Sequence, residues 1–464
     1  MRNLRLPAAA LTMWLAGCAT PVPPPLVDVT SPPQWYSPLP HNGALGDLTQ
    51  WWQQFDDPLL VQLIESAQTL SPTVAAARSR IGQARAGRTT ARAALLPNLD
   101  AQASASRGSQ PPVPLNTTVQ AGLQAGWEID LFGGNRDALQ AAQSRLDAAQ
   151  AGWHEARVSV AAETALSYLN LRTCERQLEV AAGDARSRAE SSRLAELTAR
   201  AGFTAPASAA LARASAAEGS ARATQQRALC DIDIKTLVAL SGLPEPQLRQ
   251  QLSAPWQEPA QPVLLPVVSL PAQLLAQRPD VYRAEREVAA ASADIGSAQA
   301  QRYPRLSLTG SVAAGIVHSG GASNDAQTWS IGPLAVTVPL FDGGRRAANV
   351  EATRARYDEA VAQYASRVRQ AAREVEEALV NLESARLRME DARTAADGFR
   401  SSFAATQARY RSGLGSLVEL EDARRTALAA ETALVSLQRE RVAAWIALYR
   451  AVGGGWARPD AAPA

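Results

Sequence analysis

The sequence predicts a mixed α+β chain built as two similar halves, each combining a pair of two-faced strands with one very long helical hairpin. Three observations predict it. Motifs recur in order: Ser71-Pro72-Thr73-Val74 with Arg278-Pro279-Asp280-Val281, Leu96-Pro97-Asn98-Leu99 with Tyr303-Pro304-Arg305-Leu306, and Arg200-Ala201-Gly202 with Arg411-Ser412-Gly413. Their offset is 279 − 72 = 207 at the start and 413 − 202 = 211 at the end. A duplication of roughly 200 residues is far longer than the roughly 20–50 residues of a solenoid repeat. Four segments alternate apolar and polar residues with period two, the mark of a half-buried strand. Proline is absent from 136–201 and from 343–452, which leaves both stretches free to be helical.

The first residues read as a targeting segment. Arg2 and Arg5 form a basic start, and Leu6 to Leu15 is an apolar stretch too short to span a bilayer as a helix. Leu15-Ala16-Gly17-Cys18 follows and looks like a bacterial lipobox. The expected organisation is a signal peptide at 1–17, lipidation of Cys18, and a proline-rich tether at 18–40. Prolines at this density favour an extended chain. Ala19 follows in place of an inner-membrane retention Asp, and the resemblance to bacterial lipoproteins implies the outer membrane. Removing Arg2 and Arg5 takes the formal charge from +2 to 0, so no basic excess argues for nucleic acid.

The first repeat is expected at 41–243, the linker between the halves at 244–278, the second repeat at 279–456 and a tail at 457–464. Strands are predicted at about 98–108, 117–131, 305–316 and 328–340. In the first, Leu99, Ala101, Ala103 and Ala105 alternate with Asp100, Gln102, Ser104 and Ser106. In the last, the apolar set switches from Trp329 and Ile331 to Leu334, Val336, Val338 and Leu340. Pro333 sits at the switch and predicts a bulge. The loops 107–116 and 317–327 are expected as exposed turns. Strands apolar on one face and polar on the other suit either a soluble two-faced sheet or a transmembrane barrel with a water-filled lumen. Four strands cannot close one, and open edges in lipid leave backbone groups unpaired, so several chains would have to share a barrel.

Helical hairpins are expected at about 136–241 and 343–452. Leu139, Leu146, Trp153 and Val160 recur every seven residues, with Ala142, Ala149 and Ala156 between them. That spacing implies coiled-coil packing. Breaks at Gly202 and Gly413 place the hairpin tips. Gly133, Gly134, Gly343 and Gly344 mark the turns from strand to helix. No nucleophile elbow, P-loop, HExxH or dinucleotide fingerprint occurs, so the chain reads as not an enzyme, with no metal site and no cofactor beyond the lipid on Cys18.

Five motifs then carry a resemblance: Trp52-Gln53-Gln54-Phe55-Asp56-Asp57-Pro58, Trp127-Glu128-Ile129-Asp130-Leu131-Phe132-Gly133, Pro339-Leu340-Phe341-Asp342-Gly343-Gly344, Arg409-Tyr410-Arg411-Ser412-Gly413, and Leu448-Tyr449-Arg450-Ala451-Val452-Gly453-Gly454-Gly455-Trp456. In this order, behind a lipobox, they resemble the TolC-like outer-membrane factors, in particular the lipoprotein branch serving resistance-nodulation-division (RND) efflux pumps. The resemblance implies a homotrimer whose 3 × 4 = 12 strands close one outer-membrane barrel, continued by a long periplasmic α-helical barrel. It implies passive conduction of small molecules delivered by an inner-membrane RND transporter through a periplasmic adaptor. An outer-membrane duct for ABC-type protein secretion is the alternative; a lipid-tethered coiled-coil scaffold is the third reading.

The resemblance also implies a periplasmic gate at the second hairpin, carried over to Val418, Asp422 and Arg425. Leu417, beside that tip, is expected to lie on the docking surface. Where family members often carry an acid near Ser208, the stretch Gly202 to Ala212 has none. Cys174 and Cys230 have a midpoint of (174 + 230)/2 = 202, the first tip, so an antiparallel hairpin sets them at one height. The oxidising compartment permits a disulfide there if the two face each other.

Overall fold

The computed structural model describes residues 22–29, 36, 48–110, 113–254, 275, 277–319, 321–456 and 458–459. Cys18, the signal segment, most of the tether and much of 244–278 lie outside the described residues. The elements run in the order 3-10 helix Leu48–Phe55, α1 Pro58–Leu70, α2 Pro72–Ala93, β1 Asn98–Gln110, β2 Val113–Ile129, α3 Gly134–Arg200, α4 Pro206–Ser241, α5 Glu245–Leu252, α6 Pro279–Ala300, β3 Arg305–Ser319, β4 Ala322–Thr337, α7 Arg345–Arg411 and α8 Leu417–Ala451. At 67 residues each, α3 and α7 are about 100 Å long.

The chain divides into two units. One comprises Met1–Val29, Ser79–Gln150 and Arg283–Ser366; the other comprises Thr30–Arg78, Ala151–Tyr282 and Arg367–Ala464.

The first unit holds a four-stranded antiparallel sheet in the order β1-β2-β3-β4. Its register places Ala101, Leu123, Val312 and Trp329 in one cross-strand row. The adjacent row, on the opposite face, is Asp100, Gln124, Ser311 and Ser330, where the two serine hydroxyls lie 2.9 Å apart. Leu123, Val312, Trp329 and Ile331 are exposed on the apolar face. Such a surface is costly in water and favourable in lipid. The bulge falls where Pro333 predicts it: Leu308 pairs with Leu334 and Gly310 with Ile331, so β4 carries one extra residue.

The strand limits differ from expectation. Both predicted loops shrink, because pairing continues through Arg107–Thr117, Gly108–Asn116, His318–Ser323 and Ser319–Ala322. A ladder is made of main-chain bonds and persists where no apolar face marks it. At the other ends, 130–131 and 338–340 leave the ladder.

Helices of this unit pack through small residues, larger apolar side chains and an ion pair. Ala141 of α3 meets Ala290 and Ala293 of α6, and Arg145 pairs with Asp294. Val288 and Ile295 of α6 pack with Tyr357 of α7, and Val27 of the N-terminal segment joins them.

The second unit gathers chain-distant pieces. Trp51 stacks on Tyr449 at 4.7 Å, with Trp52 and Phe55 packed edge-on around it. The buried Arg278 bonds Asp280 at 2.8 and 2.9 Å, Glu374 at 2.8 Å and the Ala451 carbonyl at 2.9 Å. Burial alone would raise the Asp280 carboxyl, yet the bonded guanidinium holds it below the usual range.

Candidate functional site

Both hairpin tips close in the same way. Gly202 and Gly413 adopt φ of 78° and 74°. Each is followed by a six-residue back-bond, from Phe203 N to the Thr198 carbonyl at 2.9 Å and from Leu414 N to the Arg409 carbonyl at 2.8 Å. This is the Schellman ending, which needs a left-handed residue and so favours glycine. The second tip is held more firmly. Ser416 and Glu419 form a capping box at the start of α8, with bonds of 3.1 and 3.2 Å, whereas α4 starts at Pro206 with no side-chain cap. Phe203 and Leu414 are left exposed at the tips.

Val418, Asp422 and Arg425 share one exposed face of α8. Asp422 and Arg425 pair at 2.5 Å. Leu417 does not lie on the surface expected for it. It is buried with Leu420, Ala195 and Ala212 beneath Phe403 and Tyr410, because one position before Val418 turns about 100° toward the bundle.

Behind this face lies a buried charge cluster that sequence reasoning missed. Arg424, only 2% exposed, pairs with Glu421 and donates to Ser191 Oγ at 2.9 Å and Ser187 Oγ at 3.2 Å. Arg188 bonds Asp184 at 2.8 Å, Glu421 at 2.8 Å and Ser215 Oγ at 2.6 Å. Arg424 also lies 5.5 Å from the Phe403 ring centre. Two cations and two carboxylates balance, and the cluster ties α3, α4 and α8 together. Asp184 Oδ1 and Arg424 Nε face each other at 3.8 Å, and among the described residues neither has a hydrogen-bond partner. Burial, with Arg188 nearby, lowers the Arg424 pKa, against the pull of Glu421 and Asp184. Gly219 lets α4 approach: a Cβ there would sit 2.7 Å from Arg188 Cδ.

Cys174 and Cys230 are joined as a disulfide, with Cα atoms 5.5 Å apart, and Gln226 donates to Cys174 Sγ at 3.1 Å. At the strand-to-helix turns, Gly133, Gly343 and Gly344 have positive φ. Gly134 is instead the first residue of α3, where a Cβ would meet that of Ala300 at 2.8 Å. Asp130 and Asp342 cap the two turns alike, accepting from Arg136 N and Arg346 N at 3.0 and 3.2 Å. Among the described residues no group of three or more His, Cys, Asp or Glu is placed to hold a metal ion.

The profile of the family described as "Outer membrane efflux protein" matches residues 63–243 and 270–454. The pyoverdine export outer membrane protein OpmQ of Pseudomonas putida is 30% identical, covering 96% of each chain. Outer membrane protein OprJ of Pseudomonas aeruginosa is 31% identical over 89% of this chain and 88% of its own. The outer-membrane channel OprN superposes with a TM-score of 0.82 at 30% identity, covering 93% of this chain and 99% of that one. The Campylobacter jejuni CmeC outer membrane channel gives 0.82 at 25% identity, covering 94% and 96%.

Proposed function

Because the chain belongs to the outer membrane efflux protein family and is an outer-membrane efflux channel, we propose that it works as a lipid-anchored homotrimer that conducts small molecules passively from a periplasmic adaptor and an inner-membrane RND transporter. The single observation that carries the passive reading is the sheet. Among the described residues it has four strands, one apolar exposed face and one polar face, and edges at β1 and β4 that no further strand pairs. Three such sheets would close a twelve-stranded barrel with the polar face toward water. Lipidation at Cys18 would fix each chain to the outer membrane. The gate would lie at Val418, Asp422 and Arg425. Three Asp422 carboxylates brought round one axis repel, and Arg425 offsets that repulsion. Opening would be a shift of population toward an arrangement that partner proteins bind better.

Photo-crosslinking in living cells from Leu414, exposed at the second tip, tests the assembly. Capture of an adaptor of an RND pump is the expected result. Capture of an ABC-type adaptor would move the chain to protein secretion, and no adaptor at all would remove the support for docking at the tips.

A further inference from the structure

The two halves differ sharply at one pair of equivalent helices. Pro72 and Pro279 open α2 and α6, and both run for 22 residues, so positions correspond at an offset of 207. On α6, Ser292, Ile295 and Gln299 are 2%, 0% and 8% exposed. Part of what covers them is an extended proline-rich segment of the chain itself. Ser292 Oγ donates to the Pro23 carbonyl at 2.6 Å, Tyr357 Oη donates to the Pro24 carbonyl at 2.9 Å, and Val27 packs against the cluster formed by Val288, Ile295 and Tyr357.

The corresponding positions on α2 are 292 − 207 = 85, 295 − 207 = 88 and 299 − 207 = 92, and all three are arginine. Arg85, Arg88 and Arg92 are exposed, with no ion pair to an acid among the described residues. The charge does not follow from the shared fold. Helix α2 carries five arginines and no acid, a charge of +5, whereas α6 carries two arginines against four acids, 2 − 4 = −2. Within the helix only Arg92, in the last turn, gains from the dipole, and like charges three and four residues apart destabilise a helix. A guanidinium offers five donors and no acceptor, so an occupant must present carbonyls and carboxylates.

We propose that the α2 face bearing Arg85, Arg88 and Arg92 is a docking site for an extended, acidic, proline-containing segment of another protein. It would lie there as Val22–Val29 lies along α6 and α7, with carboxylates replacing the apolar contacts. The site needs neither the gate nor a particular transporter.

The test uses the full-length purified protein and a fluorescent twelve-residue peptide of alternating Glu and Pro. Anisotropy should show binding that weakens with salt and vanishes when Gln replaces Glu. R85Q/R88Q/R92Q should lose about tenfold to a hundredfold in affinity, the sum of three partly exposed contacts. R354Q/R356Q, which removes two exposed arginines of α7, should bind as the parent does. Equal binding by parent and triple variant overturns the proposal. Dissociation of the oligomer in the triple variant, with no peptide bound by the parent, would assign the arginines to a seam between copies. Binding to anionic phospholipid vesicles but not to the peptide would assign them to the membrane surface. Either result overturns the docking site, and single-channel conductance reads independently whether the channel itself is intact.

Discussion

Replacing Arg424 by Met should loosen the second hairpin tip far more than replacing any exposed arginine near it. The parent cluster is neutral and nearly dry, with Arg188 and Arg424 set against Asp184 and Glu421. R424M leaves one uncompensated negative charge and strips Ser191 Oγ of the guanidinium donor, while Ser187 Oγ keeps the bond from Gln407 Nε2 at 2.9 Å. Breaking a buried pair from one side costs about 3–5 kcal/mol. Water reaches Glu421, 19% exposed on its side chain, so the lower end applies, about 3 kcal/mol. Hydrogen exchange resolved along the chain is the assay, because local opening of the tip need not unfold the whole molecule. Segments around 184–191, 215–219 and 417–424 should exchange roughly a hundredfold faster, the equivalent of about 3 kcal/mol. E421L/R424M exchanges the pair for apolar side chains and should recover most of the loss. R424K should fall between, since an ammonium cannot fork to Glu421 and the serines together. Parent-like exchange in R424M, or a double variant as loose as the single one, would refute the reasoning.

Three further outcomes are expected. Alkylation of non-reduced protein should find no free thiol at Cys174 or Cys230, and C174S/C230S should lose up to about 4 kcal/mol of stability for a closed loop of 56 residues; free thiols in the parent would rule the bond out. Burial, with Arg157 alongside, holds His154 below the ordinary imidazole range. The unfolded chain therefore takes up that proton first. The contribution of His154 is fully present above about pH 6.5 and is lost as pH falls toward the folded value, so H154Q should flatten the acid side of a pH–stability profile. D422A should change stability by no more than about 0.5 kcal/mol, because its partner is an exposed i,i+3 arginine, while raising the open probability in planar bilayers. Unchanged gating in D422A would remove this residue from the gate.

Much of the fold is legible because its signals are periodic. Two-residue alternation marks β1 through β4, and the phase switch at Pro333 marks the extra residue of β4. Helix α3 follows from a long proline-free heptad run and α7 from a proline-free stretch, and their ends from Gly202 and Gly413. What stays hidden is pairing that no side-chain pattern reports. The ladder through Gly108–Asn116 and His318–Ser323 is made of backbone, in stretches that read as loop. The contact of Trp51 with Tyr449 joins residues about 400 positions apart, and no local signal specifies it.

The candidate site shows the same limit more sharply, since two ion pairs of identical spacing sit one residue apart. Asp422–Arg425 and Glu421–Arg424 are both i,i+3 on α8. Spacing alone favours neither, and a one-position step is about 100° of rotation. What separates them is the surface each meets. Asp422 and Arg425 face outward from the bundle, while Arg424 meets Ser187 and Ser191 of α3, and Glu421 meets Ser215 of α4. The small hydroxyls on α3 and α4 are the sequence signal that could have found the buried pair: serines at 187 and 191, four residues apart, and at 215, with Gly219 four further on. Read together, they describe a helix face cut back to admit a guanidinium. The pair that the resemblance assigns to a gate is therefore backed by a second pair that only the partner helices reveal. A change at Asp422 should act on the opening, and a change at Arg424 on the rigidity of the helix that carries it.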